Sequence, residues 1–60
     1  MYEKYARIRD EKGFTDYAIA MQTGISTSTM SEWKTGKHTP NVDKLKRIAD
    51  FLKVKVDDFL

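Results

Sequence analysis

A chain of 60 residues is long enough for one domain and too short for two, so residues 1–60 are expected to fold as a single domain. The absence of cysteine excludes disulfide bonds, and one histidine is too few for a zinc site, which usually takes three or four protein ligands. The net charge is +2, and neither a signal peptide nor the roughly 20 apolar residues that span a membrane are present, so we expect a soluble, cytoplasmic protein.

Glycine and proline divide the chain into short segments. The breaks fall at Gly13, Gly24, Gly36 and Pro40. Between them, apolar residues recur at a spacing closer to 3.6 than to 2, which is typical of helices rather than strands. The pattern predicts an all-α fold.

The first three predicted helices have recognisable ends. The first covers residues 2–12. The second begins after Thr15, a residue type that caps the amino end of a helix, and stops at Gly24. The third begins at Ser26, another capping residue, and ends at Thr35.

Two further helices are predicted after Pro40. The fourth carries an apolar stripe at the spacing of a core-facing helix, formed by Leu45, Ile48, Ala49 and Leu52. A short fifth helix covers residues 56–60. Its apolar residues Val56, Phe59 and Leu60 either close the core or contact a second copy of the chain in a dimer.

The second and third helices are joined by Thr23-Gly24-Ile25. A helix, a tight turn that contains glycine and a second helix form a helix-turn-helix, whose second helix lies in the major groove of DNA. We therefore predict that residues 26–35 form a recognition helix.

Hydroxyl side chains fill the start of this predicted recognition helix, although serine and threonine weaken helices. They are slim and polar, so they can approach base edges closely and hydrogen-bond to them. Met30 and Trp33 stand three residues apart and share the opposite, inward face. Trp33 could stack on a base, but its spacing favours a place in the core.

Motifs in a fixed order run through nearly the whole chain, from about Ile8 to Leu60. They are Ile8-Arg9, Lys12-Gly13-Phe14-Thr15, Ile19-Ala20, Gly24-Ile25-Ser26, Met30-Ser31, Trp33, Gly36-Lys37, Pro40, Leu45, Ile48-Ala49, Leu52 and Val56-Asp57-Asp58-Phe59-Leu60. With them the chain resembles the Cro and phage-repressor type of helix-turn-helix domain, also called XRE-like. The resemblance implies a compact five-helix, lambda-repressor-like domain.

The resemblance also implies a function and its residues. The function is sequence-specific binding of double-stranded operator DNA as a homodimer, in a transcriptional regulator, and more specifically a repressor, of a bacterium, phage or mobile element. The implied base-contacting residues are Ser26, Thr27, Ser28, Ser31 and Glu32. The implied phosphate-contacting residues are Arg9, Thr15, Tyr17, Lys34, Thr35, Lys37, His38 and Thr39.

Two positions depart from the family pattern. Asp16 stands where the family often has glutamine, and a carboxylate repels phosphate. Lys34 stands where many members have a glutamate paired with the arginine that matches Arg9, so Arg9 either pairs with Glu32 or is left for phosphate. Tyr17 also has two alternatives, an exposed position at a phosphate and a packed one.

The charge distribution allows a second class of function. Residues 26–47 carry five basic and two acidic side chains, which is a weak footprint of a polyanionic partner. The low net charge and Asp16 also suit a protein-interaction module, such as an antitoxin or anti-regulator domain. We find no nucleophile–base pair, metal-ligand cluster or phosphate-binding loop, and so expect no enzyme activity, cofactor or small-molecule ligand.

Overall fold

The computed structural model describes residues 1–60 and contains four α-helices, no strand and one short 3₁₀ helix. The α-helices are α1 (Tyr2–Glu11), α2 (Asp16–Thr23), α3 (Thr27–Thr35) and α4 (Val42–Leu52), and the 3₁₀ helix is Val56–Phe59. The prediction of an all-helical domain is confirmed. The longest helix has 11 residues, and none combines the length and the apolar character needed to cross a bilayer.

The fifth predicted helix is a single turn of 3₁₀ helix. The Asp58 N–H donates to the Lys55 carbonyl at 2.9 Å, and the Leu60 N–H donates to the Asp57 carbonyl at 3.1 Å. Both bonds join residues three apart, as in a 3₁₀ helix, because a segment this short cannot build the longer α-helical ladder. The Asp58 side chain accepts from the Lys55 N–H at 3.0 Å and fixes the start of this turn.

The predicted capping residues occupy the amino ends of α2 and α3. The Thr15 hydroxyl accepts from the Ala18 N–H at 3.1 Å, and the Ser26 hydroxyl accepts from the Thr29 N–H at 3.1 Å. Each bond satisfies an N–H group that has no partner inside its own helix. Both helix starts are therefore set by local sequence, as predicted.

The backbone conformation at the carboxyl end of α4 is less favourable than the capped starts of α2 and α3. Lys53 follows the helix with φ of 60°, the left-handed conformation that glycine adopts most easily. Its position is held by the next residue, because the Val54 N–H donates to the Ala49 carbonyl at 2.9 Å. A lysine therefore occupies a position that suits glycine.

One core of 11 buried hydrophobic residues draws on all the helices and on the turn before α3. At its centre, the rings of Tyr5 and Trp33 stack with centroids 4.6 Å apart, and the ring of Phe59 meets Tyr5 edge-on at 5.8 Å. Trp33 is 3% exposed, which confirms the prediction that it belongs to the core.

The predicted dimer contacts separate into different environments. Phe59 is fully buried between aromatic rings, which matches the first of its two predicted alternatives, closing the core, and takes it out of the possible dimer contacts. Val56 is partly buried and packs against the core. Leu60 is 63% exposed and is the one of the three that solvent reaches freely.

Candidate nucleic-acid interface

The turn between α2 and α3 is held from both sides. Gly24 ends α2 with φ of 73°, and the next residue, Ile25, donates its N–H to the Ala20 carbonyl at 3.1 Å and is buried. From α4, Arg47 Nη1 donates to the Thr23 carbonyl at 3.1 Å. The direction in which α3 leaves the turn is therefore fixed by backbone, core and one charged side chain.

The leading end of α3 presents its hydroxyls to solvent. Ser26, Thr27, Ser28 and Ser31 are all exposed. Ser26 is occupied as the cap and shares a hydrogen bond of 2.8 Å with the Thr29 hydroxyl. The hydroxyls of Thr27, Ser28 and Ser31 form no hydrogen bond within the protein, so their donors and acceptors are available to another molecule.

A groove of about 290 Å³ runs between the start of α2 and the exposed face of α3. Its lining residues are Asp16, Tyr17, Thr27, Met30, Ser31 and Lys34. Tyr17 is 66% exposed, which decides between its two predicted environments in favour of solvent. The groove thus joins an aromatic ring on α2 to the hydroxyls and the lysine on α3.

The loop after α3 forms the other side of this surface. Lys34, Thr35, Lys37, His38 and Thr39 are exposed there. The Lys37 and His38 N–H groups donate to the Glu32 carbonyl at 2.9 and 3.3 Å, so the backbone of the loop is held against the end of α3. None of the basic side chains Lys34, Lys37 and His38 is in an ion pair, which leaves them available to an anion.

The start of α2 is fixed to α1 by a polar cluster. The Asp16 carboxylate accepts from the Tyr2 hydroxyl at 2.6 Å and from the Tyr5 hydroxyl at 2.7 Å. Arg9 Nη1 donates to the same carboxylate at 2.6 Å and to the Tyr2 hydroxyl at 3.0 Å. The Arg9 guanidinium also pairs with Asp10 at 2.7 Å. We call Tyr2, Tyr5, Arg9 and Asp16 the tyrosine–aspartate cluster.

The cluster stabilises the charged forms of its ion pair. Burial raises the pKa of Asp16, but hydrogen bonds from Tyr2, Tyr5 and Arg9 outweigh burial and hold the pKa below its ordinary value. Burial lowers the pKa of Arg9, and hydrogen bonds to Asp10, Asp16 and Tyr2 more than offset it, so that pKa is raised. Burial and the Asp16 carboxylate both raise the pKa of Tyr2 and Tyr5. The two phenols therefore stay protonated and act as donors.

Comparison with known proteins identifies the family of this domain. The sequence model of the family described as helix-turn-helix matches residues 6–59. The chain belongs to the helix-turn-helix family. The match confirms the XRE-like resemblance and covers both helices of the motif.

One curated relative of this helix-turn-helix domain is the HTH-type transcriptional activator BcrR of Enterococcus faecalis, to which it is 36% identical over 58 residues. The alignment covers 97% of this chain and 28% of BcrR, so the chain spans less than a third of the length of that relative. No solved structure matches. The family and the relative support DNA binding in transcription regulation as the class of function of this domain.

Arg9 does not have either of its two expected arrangements. It pairs with Asp16 and Asp10 rather than with Glu32, and its side chain is 16% exposed. The reason is that Asp16 begins α2 directly beside α1 and offers a nearer carboxylate. Arg9 is therefore not free for phosphate, whereas Glu32 forms no ion pair and remains partly exposed on α3.

Two features of this helix-turn-helix domain were not predicted from the sequence: the tyrosine–aspartate cluster, and the hydrogen bond from Arg47 to the Thr23 carbonyl. Tyr2 and Arg9 are seven residues apart, which is two helical turns, so helical spacing alone places them on one face of α1. That signal could have paired them, but it does not identify Asp16 as their common partner. The bond from Arg47 to the Thr23 carbonyl links residues 24 apart, and no local pattern indicates it.

Proposed function

We propose that this helix-turn-helix domain binds double-stranded DNA in a sequence-specific way and regulates transcription in the cytoplasm of a bacterium, or from a phage or mobile element. The observation that carries the proposal is the set of unpaired, exposed hydroxyls at the leading end of α3, directly after a rigid turn. A helix that enters the major groove needs such a slim polar end.

The base-reading residues in this proposal are Thr27, Ser28 and Ser31, with Ser26 and Glu32 at the edges. Thr27 and Ser28 occupy the first turn of α3, the part of a recognition helix that reaches deepest. Ser31 follows one turn later on the same exposed face. The Glu32 carboxylate, without an ion-pair partner, can accept from a cytosine amino group.

The phosphate contacts flank this surface on both sides. Thr15 and Tyr17 stand at the start of α2, and Lys34, Thr35, Lys37, His38 and Thr39 lie at and beyond the end of α3. Phosphate contacts fix the register of the protein on the duplex and supply most of its affinity, whereas base contacts supply specificity. Arg9 is left out of this set because its guanidinium is held by two carboxylates.

Lys34 and Lys37 are the only lysines or arginines among the proposed phosphate contacts, so one domain should bind weakly. We propose that two copies bind as a homodimer to half-sites about 34 Å apart, one helical turn of DNA. Leu60 and the accessible part of Val56 are the proposed contacts between the copies, since both lie at the same end of the fold.

The direction of regulation follows from where the operator lies relative to a promoter. Occupying a site that overlaps the promoter excludes polymerase, and we propose this repressor mechanism. BcrR is named an activator. A reporter assay with the selected operator placed across or upstream of a promoter distinguishes the two.

A protein-interaction module is the second candidate function. Tyr17 and Met21 are four residues apart on α2, are 66% and 63% exposed, and form an apolar pair beside the groove. Such a pair suits a protein surface better than a phosphate backbone. Under this alternative the domain would act as an antitoxin-like or anti-regulator module.

A selection from a random DNA library tests the two functions. The proposal expects an enriched motif, repeated at one fixed spacing, and binding that falls steeply between about 50 and 200 mM salt. A purified domain that enriches no motif and ignores every duplex at low salt would refute it. Affinity for a protein that persists at high salt would then support the alternative.

A further inference from the structure

The Asp16 carboxylate lies where a nucleic acid would meet it. It lines the groove together with Thr27 and Ser31, which are proposed to contact bases, and its side chain is 25% exposed. A free carboxylate at this point would repel the phosphate backbone. The domain thus carries a negative charge at the border of the surface that is proposed to bind a polyanion.

Three residues of α1 donate hydrogen bonds to this carboxylate. The Tyr2 hydroxyl donates to Oδ2, while the Tyr5 hydroxyl and Arg9 Nη1 donate to Oδ1. Each carboxylate oxygen therefore has at least one donor within 2.7 Å. Short hydrogen bonds to a charged acceptor are stronger than those between neutral groups. Here they spread the charge of the Asp16 carboxylate over its donors.

The two phenol rings are themselves fixed by α3. The Tyr2 ring meets the Trp33 ring edge-on at 5.4 Å, and the Tyr5 ring stacks on Trp33 at 4.6 Å. Trp33 lies on the buried face of α3, opposite the exposed hydroxyls. The position of Asp16 is thus set by the same helix that carries the proposed base-reading residues.

From this geometry we propose that Tyr2 and Tyr5 are positioning residues for DNA binding. Their hydroxyls hold the Asp16 carboxylate against α1 and reduce the repulsion that it exerts on phosphate beside α3. In this proposal both phenols act through Asp16 rather than through a contact with DNA. This inference rests on the proposed function and assigns a role to residues of α1 that lie outside the helix-turn-helix itself.

The test is a double-mutant cycle. The variant Tyr2→Phe/Tyr5→Phe keeps both rings and removes both hydroxyls, and it is compared with the parent in the Asp16 background and in an Asp16→Asn background. The probe is a mixed-sequence duplex of about 20 base pairs at roughly 50 mM salt, because phosphate repulsion does not depend on base sequence. Binding is measured by fluorescence anisotropy, and circular dichroism gives the folded fraction of each variant.

With Asp16 present, the double phenylalanine variant should bind about two- to threefold more weakly. This is less than the roughly fivefold factor for two unpaired like charges about 4 Å apart in water, because Arg9 still pairs with the carboxylate. In the Asp16→Asn background, the same variant should leave the Kd unchanged. Equal losses in both backgrounds would mean that the hydroxyls act only through stability, and no loss with Asp16 would mean that the carboxylate is not repulsive. Either result overturns the inference.

If the double variant does not fold, Tyr2→Phe alone replaces it, since Tyr2 is only partly buried and is the donor on Oδ2. The criterion is then the same: a weaker Kd with Asp16 and an unchanged Kd in the Asp16→Asn background. If the unmodified domain binds no duplex at low salt, the proposed function itself fails and the inference fails with it.

Discussion

The Arg9 guanidinium and the Asp16 carboxylate lie 2.6 Å apart and join the last part of α1 to the first residue of α2. The pair keeps Arg9 from acting as a free cation, while the Asp16 carboxylate stays partly exposed in the groove. It also leaves Glu32 on α3 without a partner. Beside this pair, the cations of the proposed DNA surface that have no ion-pair partner are Lys34 on α3 and Lys37 in the loop behind it.

Replacing Asp16 should change how stability depends on pH. The folded-state pKa of Asp16 is lowered, so the unfolded chain binds this proton more readily. The stabilisation is complete above the ordinary aspartate pKa of about 3.9 and is lost as the pH falls through the lower folded-state value. Urea unfolding at pH 2 to 5 should show the difference in unfolding free energy between the parent and Asp16→Asn shrinking as pH falls. A difference that stays constant over this range would contradict the prediction.

Ser28→Ala should lower specificity without lowering stability. Ser28 is exposed and its hydroxyl bonds to nothing in the protein, while alanine is the better helix former. We expect the preference for the selected operator over random DNA to fall by about fivefold or more, as when a base-edge hydrogen bond worth about 1 kcal/mol is lost. Anisotropy titrations with both duplexes measure the ratio. An unchanged ratio would remove Ser28 from the reading surface.

Lys37→Ala should lower affinity without changing specificity, which is the opposite of the effect expected for Ser28→Ala. The side chain is exposed, lies in the loop after α3 and forms no ion pair, so its proposed partner is a phosphate. Affinity should fall by a similar factor for operator and random DNA, and the slope of log K against log salt should become about 0.9 less steep. Ser28→Ala is the matched control, because its salt slope should equal that of the parent. A loss confined to the operator would show that Lys37 reads bases instead.

Lys53→Gly should stabilise the domain. Lys53 has φ of 60°, a conformation that costs a residue with a side chain about 1 kcal/mol or more and that glycine adopts freely. After the larger chain entropy of glycine is subtracted, a gain of about 0.5 kcal/mol remains. Lys55→Gly is the control, since it removes the same charge where φ is −98° and should destabilise. Thermal melts of the two variants should move in opposite directions.

Phe59→Ala and Leu60→Ala should separate the core from the surface. Removing the fully buried Phe59 ring should cost about 3–5 kcal/mol, which is most of the stability of a domain this small. Leu60 is 63% exposed, and its replacement should change stability by less than about 0.5 kcal/mol. If Leu60 joins two copies on DNA, Leu60→Ala should instead weaken cooperative binding to paired half-sites. Normal cooperativity would exclude it as the contact.

The helices were predictable because residues close in sequence set where each helix begins and ends. Thr15 and Ser26 bond to N–H groups three residues away, and Gly24 has the positive φ that its turn requires. The burial of Trp33 followed from its spacing to Met30. These features depend on neighbours along the chain, and sequence patterns report such neighbours well.

The features that were not predictable depend on contacts between elements. Whether Tyr17 packs or faces solvent is decided by how α2 lies on α3, and no periodicity within α2 reveals that. The pairing of Arg9 with Asp16 depends on the angle between α1 and α2 in the same way. The sequence places the last short helix at residues 56–60, but four residues are too few for a pattern to show that its hydrogen bonding is of the 3₁₀ type.

The hydroxyls of Thr27, Ser28 and Ser31 take no part in holding the protein together, and this separates two kinds of evolutionary constraint. Under the proposed function, mutations at these positions change what the surface recognises, while the scaffold beneath them keeps its shape. On that proposal, a lineage carrying this domain acquires a new regulatory target through successive single-codon changes, without passing through an unfolded ancestor.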